Sequence, residues 1–420
     1  MTEREPPDKI APPNPSADEA TPEQPAAAAP AGSLRRLLKN SGIYALGGVG
    51  LKLMTALLAP IYTVILAPED FGVWGLGSML ITGLMLAFNP ALHGAVTRFY
   101  FDHEQAEAER RRFQGTIFTF LVVWSLFLAG VLTLIGPWLF AQLFDGLPFD
   151  VYGHFIIWTC VFSVLAVVPQ ATWTASEDAG KMVLINLATT TTNLVTAVGL
   201  VVLARVGVIG LFWARMLAVM VVAWPYLRFA KQHIQLTFDR KLLGAALAFS
   251  LPLVPHLLAH WVLAMSDRYL IERLMGISMV GIYASGYVFI DATNLVATSM
   301  NRAWVPQFTR AYGDPAQHDF IARSVTWFVF MLLIAVVSLG LLSAPLIRLF
   351  FNARYHEAAE LTPILVFGGF FQGIYYLYVA VLFFRKRNGV VPILTVLGGT
   401  ANVLLNLLWI PTYGLVGAAW

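Results

Sequence analysis

The chain has 420 residues, 58% of them hydrophobic and only 12% charged, with a mean hydropathy of +0.70. So few charges cannot cover a soluble surface, and the net charge of +3 is no nucleic-acid footprint. One cysteine, Cys160, lies inside an apolar stretch, which excludes an intramolecular disulfide and a thiol metal site.

Residues 1–33 are rich in Pro and Ala, carry several carboxylates and have no apolar core. They read as a disordered tail, not a signal peptide. Eleven apolar stretches follow, at roughly 41–66, 73–96, 115–140, 152–170, 182–203, 208–227, 243–272, 281–300, 324–347, 359–383 and 391–410. Each is about 20 residues, enough to cross a hydrocarbon core of about 30 Å. The chain is expected to be an all-α polytopic membrane protein.

With the N-terminus in the cytoplasm, 18 Lys and Arg flank the spans on that side, among them Arg35, Arg36, Arg110, Arg111, Arg112, Lys181, Lys231 and Arg240. The other side receives only Arg205, Arg273, Arg348 and Arg354. The positive-inside rule therefore predicts a multi-pass protein of the plasma membrane, a bacterial inner membrane, with a cytoplasmic N-terminus.

The chain also repeats itself. Gly72-Val73-Trp74 with Gly77 returns 209 residues later as Gly281-Ile282-Tyr283 with Gly286, and Gly207–Trp213 returns as Gly414–Trp420. Duplication of a six-span unit predicts two lobes, 34–242 and 243–420, related by a pseudo-twofold axis along the membrane normal. On that reading the second lobe is incomplete: a twelfth span begins by Trp420, and the natural chain is expected to continue.

Pro252-Leu253-Val254-Pro255-His256, then Asp267-Arg268-Tyr269-Leu270-Ile271, then Gly281-Ile282-Tyr283 resembles the seventh-helix signature of polysaccharide flippases of the Wzx type. The turns Ala67–Gly72 and Pro411–Ala419 resemble that family's first periplasmic turn and the turn before its twelfth helix. The resemblance places the chain in the multidrug, oligosaccharidyl-lipid and polysaccharide exporter superfamily. It implies two six-helix lobes around a cavity that opens alternately to each side, and outward passage of undecaprenyl-pyrophosphate-linked oligosaccharides. A polysaccharide polymerase and glycosyltransferases are the partners it implies.

Ionisable residues inside spans each cost about 2.5–3.5 kcal/mol at a helix centre, which makes them functional candidates. Lys52, Arg215, Arg268, Asp267 and Asp291 form that set, with Glu272 nearer a span end. Lys52, Arg215 and Arg268 either face the cavity and bind the pyrophosphate or form an ion-pair network between lobes. Adjacent residues point about 100° apart on a helix, so Arg268 is expected to meet Glu272 at i,i+4 instead of Asp267. Asp267 then needs a partner on another helix, with Lys52 and Arg215 available. For Asp267 and Asp291, cation coupling or gating competes with charge compensation.

His256 and His260 share a face of the seventh span with Asp267. Asp267 lies too far along the axis to join them on one ion, and no Glu stands between the histidines, so a metal site is not expected. They either hydrogen-bond sugar hydroxyls or are satisfied by neighbouring helices. The run Thr189–Thr192 with Asn193 admits a sugar contact too, although threonines in apolar helices usually bond back to the i−4 carbonyl. Prolines at 90, 225, 252, 255, 345 and 363 interrupt spans, and the pair Pro252 and Pro255 marks a hinge or a static kink.

No Gly-x-x-x-x-Gly-Lys loop occurs, so neither ATP hydrolysis nor a cofactor is expected. Three alternatives remain beside the lipid-linked sugar: a lipid II flippase, a cation-coupled drug exporter of the same superfamily, and a membrane polymerase or ligase. The last would need a large extracytoplasmic loop, and the loops here are short.

Overall fold

The computed structural model describes residues 58–420, apart from 103–105, 313, 386 and 388. The tail 1–33, Lys52 and most of the first expected span lie outside the described residues; of that span, residues 58–65 are described and helical. The helices that follow are α1 (Pro68–Phe88), α2 (Leu92–Asp102), α3 (Glu107–Leu143), α4 (Phe149–Val164), α5 (Val167–Ala175), α6 (Ala179–Ala197) and α7 (Ile209–His233). Then come α8 (Arg240–Ser250), α9 (Val254–Met275), α10 (Ile277–Ala311), α11 (His318–Phe350), α12 (Ala358–Phe384) and α13 (Val390–Ala419). Among the described residues there is no strand. Ten segments among the described residues are long and apolar enough to cross a membrane, matching the second to eleventh expected spans.

The apolar periodicity places the spans but not every break. The second span ends at Phe88, not at residue 96 as the run of Ala91, Ala95 and Val96 suggests. Ala91 takes a positive φ of 56°, and the Asn89 side chain accepts from the Leu92 backbone N–H at 3.1 Å, which caps the separate helix α2. Pro90 therefore terminates a span; it does not kink one. The seventh span is α8 and α9 joined through a tighter 3-10 turn at Leu251–Leu253, where Pro252 and Pro255 remove backbone donors. The eleventh runs to a break at Gly414 (φ 61°, ψ −142°), a conformation open to glycine, after which the next helix starts within α13.

Successive spans alternate direction, so the basic loops gather at one end of the bundle, here the basic end; the other is the distal end. Extensive packing of α10 on α1, with α9 also on α1, joins the C-terminal half to the N-terminal half. The main apolar core includes Leu76, Phe88, Phe212, Ile271, Tyr283, Tyr355 and Leu415 and so crosses between the halves. A second core, built from Ala297, Trp304 and Phe308 of α10 with Phe328 and Leu332 of α11 and Val366 and Leu377 of α12, draws on the C-terminal half alone. At the basic end, the long α10–α12 helices therefore pack on one another.

Candidate functional site

At the distal end the halves touch through backbone. A Cβ on Gly72 would overlap the Ile277 carbonyl oxygen, and one on Gly281 would overlap that of Pro68. The same added atoms would stand 3.1 Å from the Gly281 nitrogen and 2.9 Å from the Gly72 nitrogen. Pro68 and Ile277, like Gly72 and Gly281, are 209 residues apart, so the two repeated glycines meet each other in a reciprocal contact, the kind a twofold axis generates. Glycine is required here for close approach, not for turning.

Beside that contact, α9 closes onto the α3–α4 loop. Glu272, 2% exposed, accepts on Oε1 from the backbone N–H groups of Asp145 at 2.7 Å and Gly146 at 2.9 Å. Its Oε2 is buried and finds no hydrogen-bond donor. Arg273 pairs with Asp145 at 2.9 Å, but that pair is exposed and contributes at most about 1 kcal/mol. Tyr269 meets Phe144 edge-on at 5.7 Å. The buried Tyr355 completes the closure, donating to the Leu66 carbonyl at 3.1 Å and packing edge-on against Phe71 at 6.0 Å.

One turn deeper, α9 and α10 enclose a cluster of charges. The Asp267 carboxylate, 5% exposed, accepts on Oδ2 from the hydroxyls of Tyr283 at 2.6 Å and Tyr287 at 2.8 Å. Arg268, 8% exposed, stacks on the Tyr287 ring at 4.0 Å and donates from Nη1 to the Ala264 carbonyl at 3.2 Å and the Met265 sulfur at 3.1 Å. Its separation from Asp267 Oδ1 is 3.7 Å, the long contact expected of sequence neighbours on a helix. Asp291, exposed one helical turn beyond Tyr287, lies within electrostatic reach of Arg268.

One expectation about pairing fails, and another gains partners that it did not include. Arg268 does not meet Glu272, because the Glu272 carboxylate is held by two backbone donors of the facing loop, while the Arg268 guanidinium turns back toward Ala264 and Tyr287. Asp267 accepts from two tyrosine hydroxyls of α10, and Arg215 is not among its partners; Lys52 lies outside the described residues. A hydroxyl donor stabilises a buried carboxylate without desolvating a second charge. Tyr283 and Tyr287 stand at i,i+4, a spacing that does place both hydroxyls on one face, yet nothing local in sequence says that α9 faces them.

The other candidates are spread out. Arg215 is exposed on α7, close enough to Cys160 of α4 to interact electrostatically. His260 is exposed on α9, and His256, one turn nearer the break, is half-buried with an unpartnered Nδ1. Thr189 bonds back to the Ile185 carbonyl at 2.8 Å. Thr190 and Asn193, by contrast, line a small cavity of about 90 Å³ with Tyr62, Trp74 and Leu211. Among the described residues no three His, Cys, Asp or Glu side chains converge as metal ligands.

The family model described as "Polysaccharide biosynthesis protein" matches residues 61–360. The chain belongs to that family. No curated protein sequence matches it. Among solved structures, this family member is similar to an inward-facing multidrug resistance MATE family transporter of the MOP superfamily, at TM-score 0.71 and 17% identity, covering 89% of this chain and 92% of that one. An outward-facing structure of such a transporter aligns at TM-score 0.62 and 16% identity, covering 92% and 90%. The lipid II flippase MurJ, in an inward closed conformation, aligns at 0.70 and 14%, covering 90% and 83%. The fold of this polysaccharide biosynthesis protein is thus that of MOP-superfamily transporters and of the MurJ flippase, in a multi-pass membrane protein.

Proposed function

We propose that the protein flips polyprenyl-pyrophosphate-linked oligosaccharide units from the cytoplasmic to the periplasmic leaflet by alternating access, with its N-terminus in the cytoplasm of a bacterial inner membrane. The observation that carries this reading is the closure of the distal end by Gly72, Gly281 and Glu272, while α10–α12 pack among themselves toward the basic end. That packing supports an inward-facing reading, as does the higher TM-score to the inward-facing transporter (0.71) than to the outward-facing one (0.62).

The two halves act as lobes, 34–242 and 243–420. Arg215, exposed in the N-terminal lobe, is the direct contact for pyrophosphate; Lys52 adds a second cation. Arg268 joins them when its stack on Tyr287 opens. His256, His260, Thr190 and Asn193 offer hydrogen bonds to sugar hydroxyls, each of which would otherwise cost about 4–8 kcal/mol to bring through hydrocarbon. Asp267 compensates Arg268, Asp291 serves charge compensation or gating, and the 3-10 turn at Pro252 and Pro255 is the hinge. Outward movement of an anionic headgroup against an inside-negative potential is downhill by about 2.3 kcal/mol per charge per 100 mV. The glycosyltransferases that build the cargo and the polymerase that consumes it are the expected partners.

The reading is tested with full-length protein in proteoliposomes, following a fluorescent polyprenyl-pyrophosphate oligosaccharide. Flipping by wild type, reduced at least tenfold by Arg215→Gln or Arg268→Gln with folding intact, supports it. No flipping, with uptake of small organic cations instead, assigns the chain to drug export and overturns it.

A further inference from the structure

The lobe boundary expected from the repeat falls at the start of the seventh span, yet the packing divides that span in its middle. α8 packs on α2 and α3 of the N-terminal half, whereas α9 packs chiefly on α13 and α10 of the C-terminal half. Leu243, Ala246 and Ser250 make the buried stripe of α8, spaced i, i+3 and i+7. At the end of that stripe the Ser250 hydroxyl donates to the Ala91 carbonyl at 3.2 Å, and Phe249 meets Phe99 of α2 edge-on at 6.3 Å. α9 reaches the N-terminal half only at α1, where Trp261 donates to the Met79 carbonyl at 3.3 Å. That contact is part of the interface between the halves.

The connection that leads into α8 is fastened to the N-terminal half as well. Its Gln235 N–H donates to the Arg111 carbonyl at 3.2 Å, and its Asp239 N–H donates to the Thr116 hydroxyl at 3.2 Å. Asp239 Oδ2 pairs with Arg112 at 2.8 Å. Asp239 Oδ1 accepts from the N–H groups of Lys241 at 2.8 Å and Leu242 at 3.3 Å, so one side chain both starts α8 and ties that start to α3. The exposed ion pair adds little by itself; the two backbone donors bring the connection's main chain onto α3. Gly115 permits the approach, because a Cβ there would overlap the Gln235 carbonyl oxygen.

The far end of α8 is built differently. Pro252 and Pro255 supply no N–H, and none of the residues in the 3-10 turn Leu251–Leu253 is buried. A joint with an interrupted hydrogen-bond ladder and no buried side chain resists rotation least.

We infer that residues 234–250 form a strap that moves with the N-terminal half, pinned at Asp239 and Ser250, and that the boundary between the moving bodies lies at Leu251–Leu253, inside the seventh span. The inference rests on the alternating-access reading and changes its partition: α8 is wall of the N-terminal lobe, and only α9 belongs to the C-terminal one.

The test uses full-length protein with Cys160→Ser in nanodiscs, spin-labelled at Gly244→Cys on α8 together with either Val123→Cys on α3 or Leu404→Cys on α13. Val123 and Leu404 are exposed, and a Cβ on Gly244 meets nothing within 4 Å. Gly281→Leu is then added to wedge the distal contact apart, with Glu272→Ala in its place if that variant does not fold. The distance from Gly244 to Leu404 should shift by more than about 2 Å, while the distance from Gly244 to Val123 stays fixed. The reverse pattern would overturn the strap and leave alternating access standing; two unchanged distances would overturn both. Separately, Arg112→Cys and Asp239→Cys joined by a short thiol cross-linker should flip cargo at the uncross-linked rate, and arrest by the linker would overturn the strap.

Discussion

Replacing Glu272 by Ala removes the acceptor for two buried backbone N–H groups, those of Asp145 and Gly146, whose bonds are 2.7 and 2.9 Å long. Bonds to a charged group contribute about 1.5–3 kcal/mol each. The closed state also bears the cost of burying Oε2 without a partner, and the substitution relieves it. The net loss to the closed state is therefore about 1.5–3 kcal/mol, or roughly 10- to 150-fold in the ratio of open to closed distal ends. Glu272→Gln, which keeps one carbonyl acceptor, should lose less. Arg273→Ala removes only an exposed pair and should change the ratio less than about fivefold. The assay is the rate at which a membrane-impermeant maleimide reacts from the distal side with a thiol at Val280, introduced as Val280→Cys with Cys160→Ser. Val280 is fully buried on α10 beside the glycine contact, so its labelling reports opening. Labelling unchanged by Glu272→Ala, or raised as much by Arg273→Ala, would refute the assignment of Glu272 as the latch.

Three further outcomes are expected. Gly281→Leu should raise labelling of the same thiol, because its side chain would overlap the Pro68 backbone, whereas Gly340→Leu, where an added Cβ meets nothing within 4 Å, should not; equal effects would contradict the contact. Tyr287→Phe should lower unfolding free energy in detergent by about 1.5–3 kcal/mol by removing one donor to buried Asp267, and Tyr287→Ala should cost more because the Arg268 stack goes as well; an unchanged Tyr287→Phe would show that the hydroxyl is not needed. Joint substitution Pro252→Ala with Pro255→Ala should slow flipping severalfold while leaving the fold intact, and an unchanged rate would remove the hinge from the mechanism.

What the sequence made legible follows from what is local. Spans of about 20 apolar residues show themselves by length, and ten of the expected segments stand among the described residues. The end of the second span was hidden because apolar residues continue past Asn89 into α2, where only the Asn89 cap and the Ala91 backbone mark the break. The repeated glycines were visible as an echo, but the echo did not say that Gly72 and Gly281 would touch. Asp267 and Arg268 stood out as charges in an apolar run. Their partners did not, since Tyr283, Tyr287 and the loop at Asp145 become neighbours only once helices pack, and helical periodicity carries no information about which helix comes next to which.

The most direct test of the account is flipping of a polyprenyl-pyrophosphate oligosaccharide by protein whose distal end is tied shut. Asp145→Cys and Arg273→Cys, placed at the ion pair in a Cys160→Ser background, would be joined by a short reversible thiol cross-linker in proteoliposomes. The account predicts that cross-linking stops flipping and that cleaving the linker restores it. Flipping at the uncross-linked rate with the bridge intact would contradict it, because the cargo would then cross without the halves separating there.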